Sequence, residues 1–152
     1  MSDKIEKAPR PEQAVAIFAE GFNCSQAVFS TYGPLYGIDE QQALKIATGF
    51  GAGMARMEEV CGAVTGAIMA IGAKNGTADP TDRPSVGRTY QGVRRLAARF
   101  RELHGTLICR ELLGGVDLNT EEGQKEFHGK DLKQKVCTVC VRDAAKILEE
   151  LD

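Results

Sequence analysis

The chain reads as an all-α protein, a single compact bundle of about six or seven helices. Three observations carry this expectation. No stretch keeps a sustained apolar–polar alternation of period two, and runs of β-branched residues are absent. Apolar residues recur instead at three- and four-residue spacing, which puts them on one face of a helix. Gly, Pro, Asn and Asp stand where helix starts and stops would fall. The 152 residues suit one domain with a sizeable core, taken as residues 11–152 after a polar, disordered lead-in over residues 1–10.

Pro11 suits a helix's first turn, Ala14, Val15, Ile17 and Phe18 give an apolar face, and Gly21 stops it. Asn23 caps a second helix with Cys24 at its first position and Ala27, Val28 and Phe29 inward, until Gly33-Pro34 interrupts. Asp39 caps a third over residues 40–48, with Ala43, Leu44, Ile46 and Ala47 as its buried side. A glycine-rich loop follows. Gly49, Gly51 and Gly53 alternate, but a dinucleotide fingerprint needs a preceding strand and a βαβ setting, and a helix precedes here. These glycines are therefore read as loop residues free to take positive φ.

The loop leads into a helix with Cys61 in its first turn, and Gly62, Gly66 and Ala70 form a bare stripe at four-residue spacing. Another backbone can approach that stripe closely. Glu58 and Glu59, ahead of it, suit the positive end of the helix, or could serve Cys61 as a base. Lys74-Asn75-Gly76 closes this helix, and residues 77–84 form a turn-rich linker. Ser85 caps a long helix to about His104, with Val86, Tyr90, Val93, Leu96, Ala97, Phe100 and Leu103 at helical spacing. The arginines between them (Arg94, Arg95, Arg99 and Arg101) read as a solvated face. Thr106 caps a short helix over residues 107–113 carrying Cys109, and Gly114-Gly115 ends it. Residues 118–131 read as a mobile loop or a loose helical turn. The last helix has Cys137 near its start, Cys140 one turn on, and Ala144, Ala145, Ile147, Leu148 and Leu151 inward.

Composition narrows the function. A net charge of −2 gives no electrostatic reason to expect nucleic acid. Residues 1–10 are too polar for a signal peptide, and the longest apolar run, residues 60–73, is broken by Gly and Thr and too short to span a membrane. A cytoplasmic protein without membrane insertion is expected. Five cysteines, an odd number, then point to metal ligation or redox work rather than structural disulfides. Buried packing is the plain alternative.

Cys24, Cys61, Cys109 and Cys137 each fall at or within the first turn of an expected helix. Unpaired amides and the dipole there stabilise a thiolate and lower its pKa. If the four ends converge, they form an electropositive cup for four sulfurs. That cup would take a metal centre, an iron–sulfur cluster or zinc, or run thiol/disulfide exchange. Cys137 and Cys140 have the C-x-x-C spacing shared by both chemistries. His104 and His128 are candidate ligands or proton carriers, though each also suits a surface or cap. Tyr32, Tyr36 and Tyr90 are expected to line the core.

The segments Gly21-Phe22-Asn23-Cys24-Ser25-Gln26-Ala27-Val28, Cys61-Gly62-Ala63-Val64-Thr65-Gly66-Ala67, Cys109-Arg110-Glu111-Leu112-Leu113-Gly114 and Cys137 occur in this order. Together they resemble the C-GCAxxG-C-C family of small redox-active proteins. The resemblance implies that the signature cysteines are Cys24, Cys61, Cys109 and Cys137, with Cys140 extra. A redox partner protein is expected, with a homodimer as one arrangement. The expected function is a redox-active protein whose converging cysteines bind a metal or iron–sulfur centre for electron transfer or metal handling. The four would be the ligands, and Gly62 and Gly66 would admit the cofactor. One alternative is a metal-free thiol/disulfide protein in which the same four react and Cys140 resolves. A non-catalytic helical interaction module is the other.

Overall fold

A computed structural model describes residues 7–151. Among them are eight right-handed α-helices and no strand beyond one isolated bridge, so the all-α expectation holds with more helices than the sequence suggested. They are α1 (Arg10–Ala19), α2 (Cys24–Tyr32), α3 (Glu40–Ala47), α4 (Gly62–Asn75), α5 (Arg83–His104), α6 (Cys109–Leu112), α7 (Glu121–Gly129) and α8 (Thr138–Glu150). The first six residues of the expected lead-in lie outside the described residues, and α1 already begins at Arg10.

Helix α4 is the central element. Its residues are apolar or small, and Gly62, Ala63, Val64, Thr65, Gly66, Ala67, Ala70 and Ile71 are buried on all sides. Helices α2, α5 and α8 surround it and α1 closes the bundle against α2 and α8. Phe100 and Leu96 from α5, Val141 and Ile147 from α8 and Val28 from α2 fill the core. The bare stripe explains the approach of α2: a Cβ on Gly66 would stand 2.7 Å from Ser25 O and 3.1 Å from Ser25 Cα. No helix among the described residues is long and apolar enough to cross a membrane.

Several local expectations change. The long helix is capped by Asp82, whose side chain accepts from Ser85 N–H, so α5 starts earlier than Ser85. Residues 118–131, expected as a mobile loop or a loose helical turn, contain the full helix α7, capped by Thr120 through Gly123 N–H. Tyr90 is 66% exposed, Ile46 54% and Leu103 45%, because α5 and α3 each meet the bundle along a narrow stripe and turn these side chains outward. Tyr32 is buried and Tyr36 half-buried.

The glycine loop adopts an unusual form. After the 3₁₀ turn Thr48–Phe50, five consecutive residues, Ala52, Gly53, Met54, Ala55 and Arg56, take φ of 54–67°, and Glu58 follows at 57°. This is a left-handed turn, and each non-glycine residue in it costs about 1–2 kcal/mol against the right-handed form.

Candidate cysteine site

Each cysteine reaches the site by its own local device. Cys24 opens α2 under a capping box: Asn23 Oδ1 accepts from Gln26 N–H, and Gln26 Oε1 accepts from Asn23 N–H, both at 2.9 Å. Asn23 Nδ2 also donates to Thr48 O at 3.0 Å. That side chain lies against Gly51, where any Cβ would collide with it, so the glycine loop and the α2 cap fit only together. Cys61 is the N-cap residue of α4. Cys109 opens α6 and is clamped to it by the bridge between Val60 and Ile108. Across that bridge Cys61 N–H donates to Leu107 O at 2.8 Å and Cys109 N–H to Glu59 O at 2.6 Å.

Cys137 departs from the expectation. It ends a π-helical stretch, Lys133–Cys137, that runs unbroken into α8, so it sits inside a helix rather than at a free N-terminus. Single π turns of this kind often mark functional sites. Cys140 follows one turn later and is 1% exposed.

All five cysteines, each a free thiol, line one cavity of about 40 Å³. Ala52, Gly53, Gly62, Leu112, Leu113 and Val136 complete its wall. Spatial convergence thus extends to Cys140. Gly62 is needed there, since its Cβ would lie 2.7 Å from Cys24 Sγ. Gly66 is not in the wall and acts at the α2–α4 contact.

The thiols are linked. Cys24 pairs with Cys61, and Cys61 with Cys140, through thiol–thiol contacts. Helix ends were expected to lower the thiol pKa values, and the reverse holds. The hydrogen bond to Cys61, with burial, pushes Cys24 well up, although Ala52 N–H donates to its sulfur and pulls the other way. Cys61 is pushed up by its bond to Cys140 and by burial, against the Ala63 amide. Burial first, then neighbouring thiols, pushes Cys109 and Cys137 each up to about 12. Desolvation in an apolar cavity outweighs the partial charge of a helix end.

Glu58 is the functional-site neighbour that sequence reasoning misplaced. It is not a solvated charge at the start of α4: it is 2% exposed, and its Oε1 accepts from Leu118 N–H at 2.9 Å and from Arg110 Nη2 at 3.4 Å. Its Oε2 has no partner. Only the adjoining glycines hinted at a fold-back here. Glu59 contributes its backbone carbonyl to Cys109. The histidines lie elsewhere. His104 Nε2 meets Asp143 Oδ2 at 2.9 Å between α5 and α8, and His128 rests edge-on to Phe127 at 5.4 Å.

A helical domain that gathers five free thiols around one buried apolar cavity is a thiol-centred protein. The match to known families agrees: the model described as "Putative redox-active protein (C_GCAxxG_C_C)" covers residues 22–151. The chain belongs to this C_GCAxxG_C_C family. No curated protein and no solved structure matches the chain.

Proposed function

We propose that the chain is a redox protein whose cysteine cavity receives an iron–sulfur centre for electron transfer or metal handling, with Cys24, Cys61, Cys109 and Cys137 as ligands. The observation that supports this reading is the meeting of cysteines from four separate segments in one cavity whose wall holds no other ionisable side chain. Four thiolates suit an iron–sulfur cluster or a zinc ion, and the cavity of about 40 Å³ would have to widen to take a cluster. One tetrahedral zinc needs its sulfurs about 2.3 Å from a single point. Among the described residues no three cysteine, histidine or carboxylate side chains are grouped to hold one ion. A cluster of several irons takes thiolates that stand apart around it.

When bound, such a centre supplies one-electron chemistry. The chain's own part is to orient and shield. Leu112, Leu113 and Val136 keep the wall apolar, and the amides of Ala52 and Ala63 donate to the Cys24 and Cys61 sulfurs. Amide donors of that kind hold ligand thiolates and tune potential. A redox partner protein would exchange the electron.

Iron and acid-labile sulfide measured on anaerobically purified protein test the reading. Both should be present in matching amounts and fall on replacing Cys24, Cys61, Cys109 or Cys137 with Ala, while Cys140→Ala keeps them. Sub-stoichiometric metal after anaerobic handling would overturn it. The hydrogen-bonded run Cys24–Cys61–Cys140 favours a second reading, in which a disulfide or peroxide oxidises two adjoining thiols to a disulfide. Thiols would then disappear in pairs on mild oxidation of the metal-free protein.

A further inference from the structure

At the far end of α4 a second cavity, of about 100 Å³, opens between α2, α4, α5 and α8, and it shares no wall residue with the cysteine cavity. Lys74 at its edge is 13 residues on from Cys61, roughly 20 Å along the helix axis. The inner wall is apolar, from Ile71, Leu148 and Leu151. The outer wall is cationic, from Lys74, Arg88 and Arg95. Tyr32, Tyr36, Asn75 and Gln91 add to a lining that is about half polar.

Arg88 and Arg95 are two turns apart on one face of α5, with Gly92 between them. A Cβ on Gly92 would come 3.1 Å from Ile71 Cγ2, so the glycine lets α5 close on α4 and leaves the space between the two guanidiniums without a side chain. Ordinary structural roles account for part of this set. Lys74 lies in the last turn of α4, where a cation suits the dipole. One Arg88 nitrogen, Nη2, donates to Ser85 Oγ at 2.8 Å. No such role accounts for Arg95, which has no hydrogen-bond or ion-pair partner among the described residues. Two acids lie nearby, both outside the wall: Glu149, which already accepts from Tyr32 Oη–H at 2.9 Å, and Asp82, whose carboxylate feels the Arg88 charge.

We propose that this cavity binds a small organic oxyanion, its carboxylate or phosphate head at Arg88 and Arg95 and a short apolar body against Ile71, Leu148 and Leu151. A planar guanidinium fork pairs with such heads bidentately. A volume of about 100 Å³ admits a few heavy atoms and excludes a nucleotide.

The test titrates the full chain with butyrate, benzoate and inorganic phosphate, each against sodium chloride at equal ionic strength, following amide and methyl NMR shifts. Saturable shifts at Ile71, Gly92 and Leu148 are expected. Saturation by the carboxylates alone or by phosphate alone supports the proposal and identifies the head group. Arg95→Gln should weaken binding at least about tenfold, the loss of one charge-assisted contact. Arg101→Gln, far along α5, should leave it unchanged. Arg95 is exposed and unpaired, so its variant folds; Arg88→Gln gives a second reading of the same contact. Shifts that sodium chloride reproduces, failure of all three probes to saturate, or equal affinity in Arg95→Gln would overturn the proposal.

Discussion

Burying Glu58 beside Cys109 removes a carboxylate from water, and only Oε1 is answered, by Leu118 N–H and the Arg110 guanidinium. Glu58→Ala would leave Leu118 N–H unsatisfied and open a void, so it should cost about 2–4 kcal/mol in urea unfolding. Glu58→Gln keeps an acceptor for Leu118 and should cost clearly less; equal losses would show that the charge itself holds the loop. The thiols set a second expectation. Cys109 and Cys137 titrate near 12 in the folded, metal-free chain, against an ordinary value of 9.0. Below pH 9 both are protonated, folded or unfolded, and stability is at its full value. Between pH 9 and 12 the unfolded chain loses these protons while the folded chain keeps them, so stability falls as pH rises, by roughly 1.4 kcal/mol per pH unit for each group. Unfolding of reduced protein across this range should show the fall, and Cys109→Ser should make it shallower. A flat profile would mean that the thiols are not shielded as the cavity implies.

Helix starts were readable where a short signature specifies them. Asn23 with Gln26 three residues on announces the α2 cap, and Asp39 the α3 cap. α7 reads from the sequence as no more than a loop or a loose helical turn because EEGQKEFHG offers too few apolar positions to show a period; it is held by the Thr120 cap and by Phe127 against a small cluster with Cys109 and Leu118. The Cys137 setting was misread because helix runs through the π turn from Leu132, with no stop signal between. The left-handed turn was half legible. Gly53 fits it, but Gly49 and Gly51 do not take the expected positive φ, and nothing in Ala52, Met54, Ala55 or Arg56 foretells φ near 60°. Strain of that kind persists where the surroundings enforce it, and such places cluster at functional sites. The α2–α4 contact depends on one atom's absence. Gly66→Ala would drive a Cβ to 2.7 Å from Ser25 O, so it should cost more than about 2 kcal/mol and move Cys24 away from Cys61. A variant as stable as wild type would show that α2 can shift without loss.

Across the whole molecule, the sequence drew attention to the cysteines but not to how they meet. Cys24, Cys61 and Cys109 are far apart in the chain, and their meeting depends on a buried α4, a bare stripe and one β-bridge. Of these only the stripe is local enough to read. The family resemblance left Cys140 as an extra thiol; three residues on from Cys137 it shares that helix face, and the placement of α8 turns both into the cavity. This geometry makes the proposed centre a cross-link between α2, α4, α6 and the π turn, all of which separate on unfolding. A ligand that binds only the folded chain stabilises it by mass action, about 2.7 kcal/mol when free ligand is a hundredfold above Kd. For a domain of this size that corresponds to a rise of roughly 5–10 °C in Tm. Anaerobic reconstitution with iron and sulfide, followed by calorimetry against the metal-free chain, should show the rise in wild type and in Cys140→Ala. Cys137→Ala, which unties the π turn, should lose most of it. Iron bound at full stoichiometry with no change in Tm would place it on the surface, away from the four segments the cavity joins.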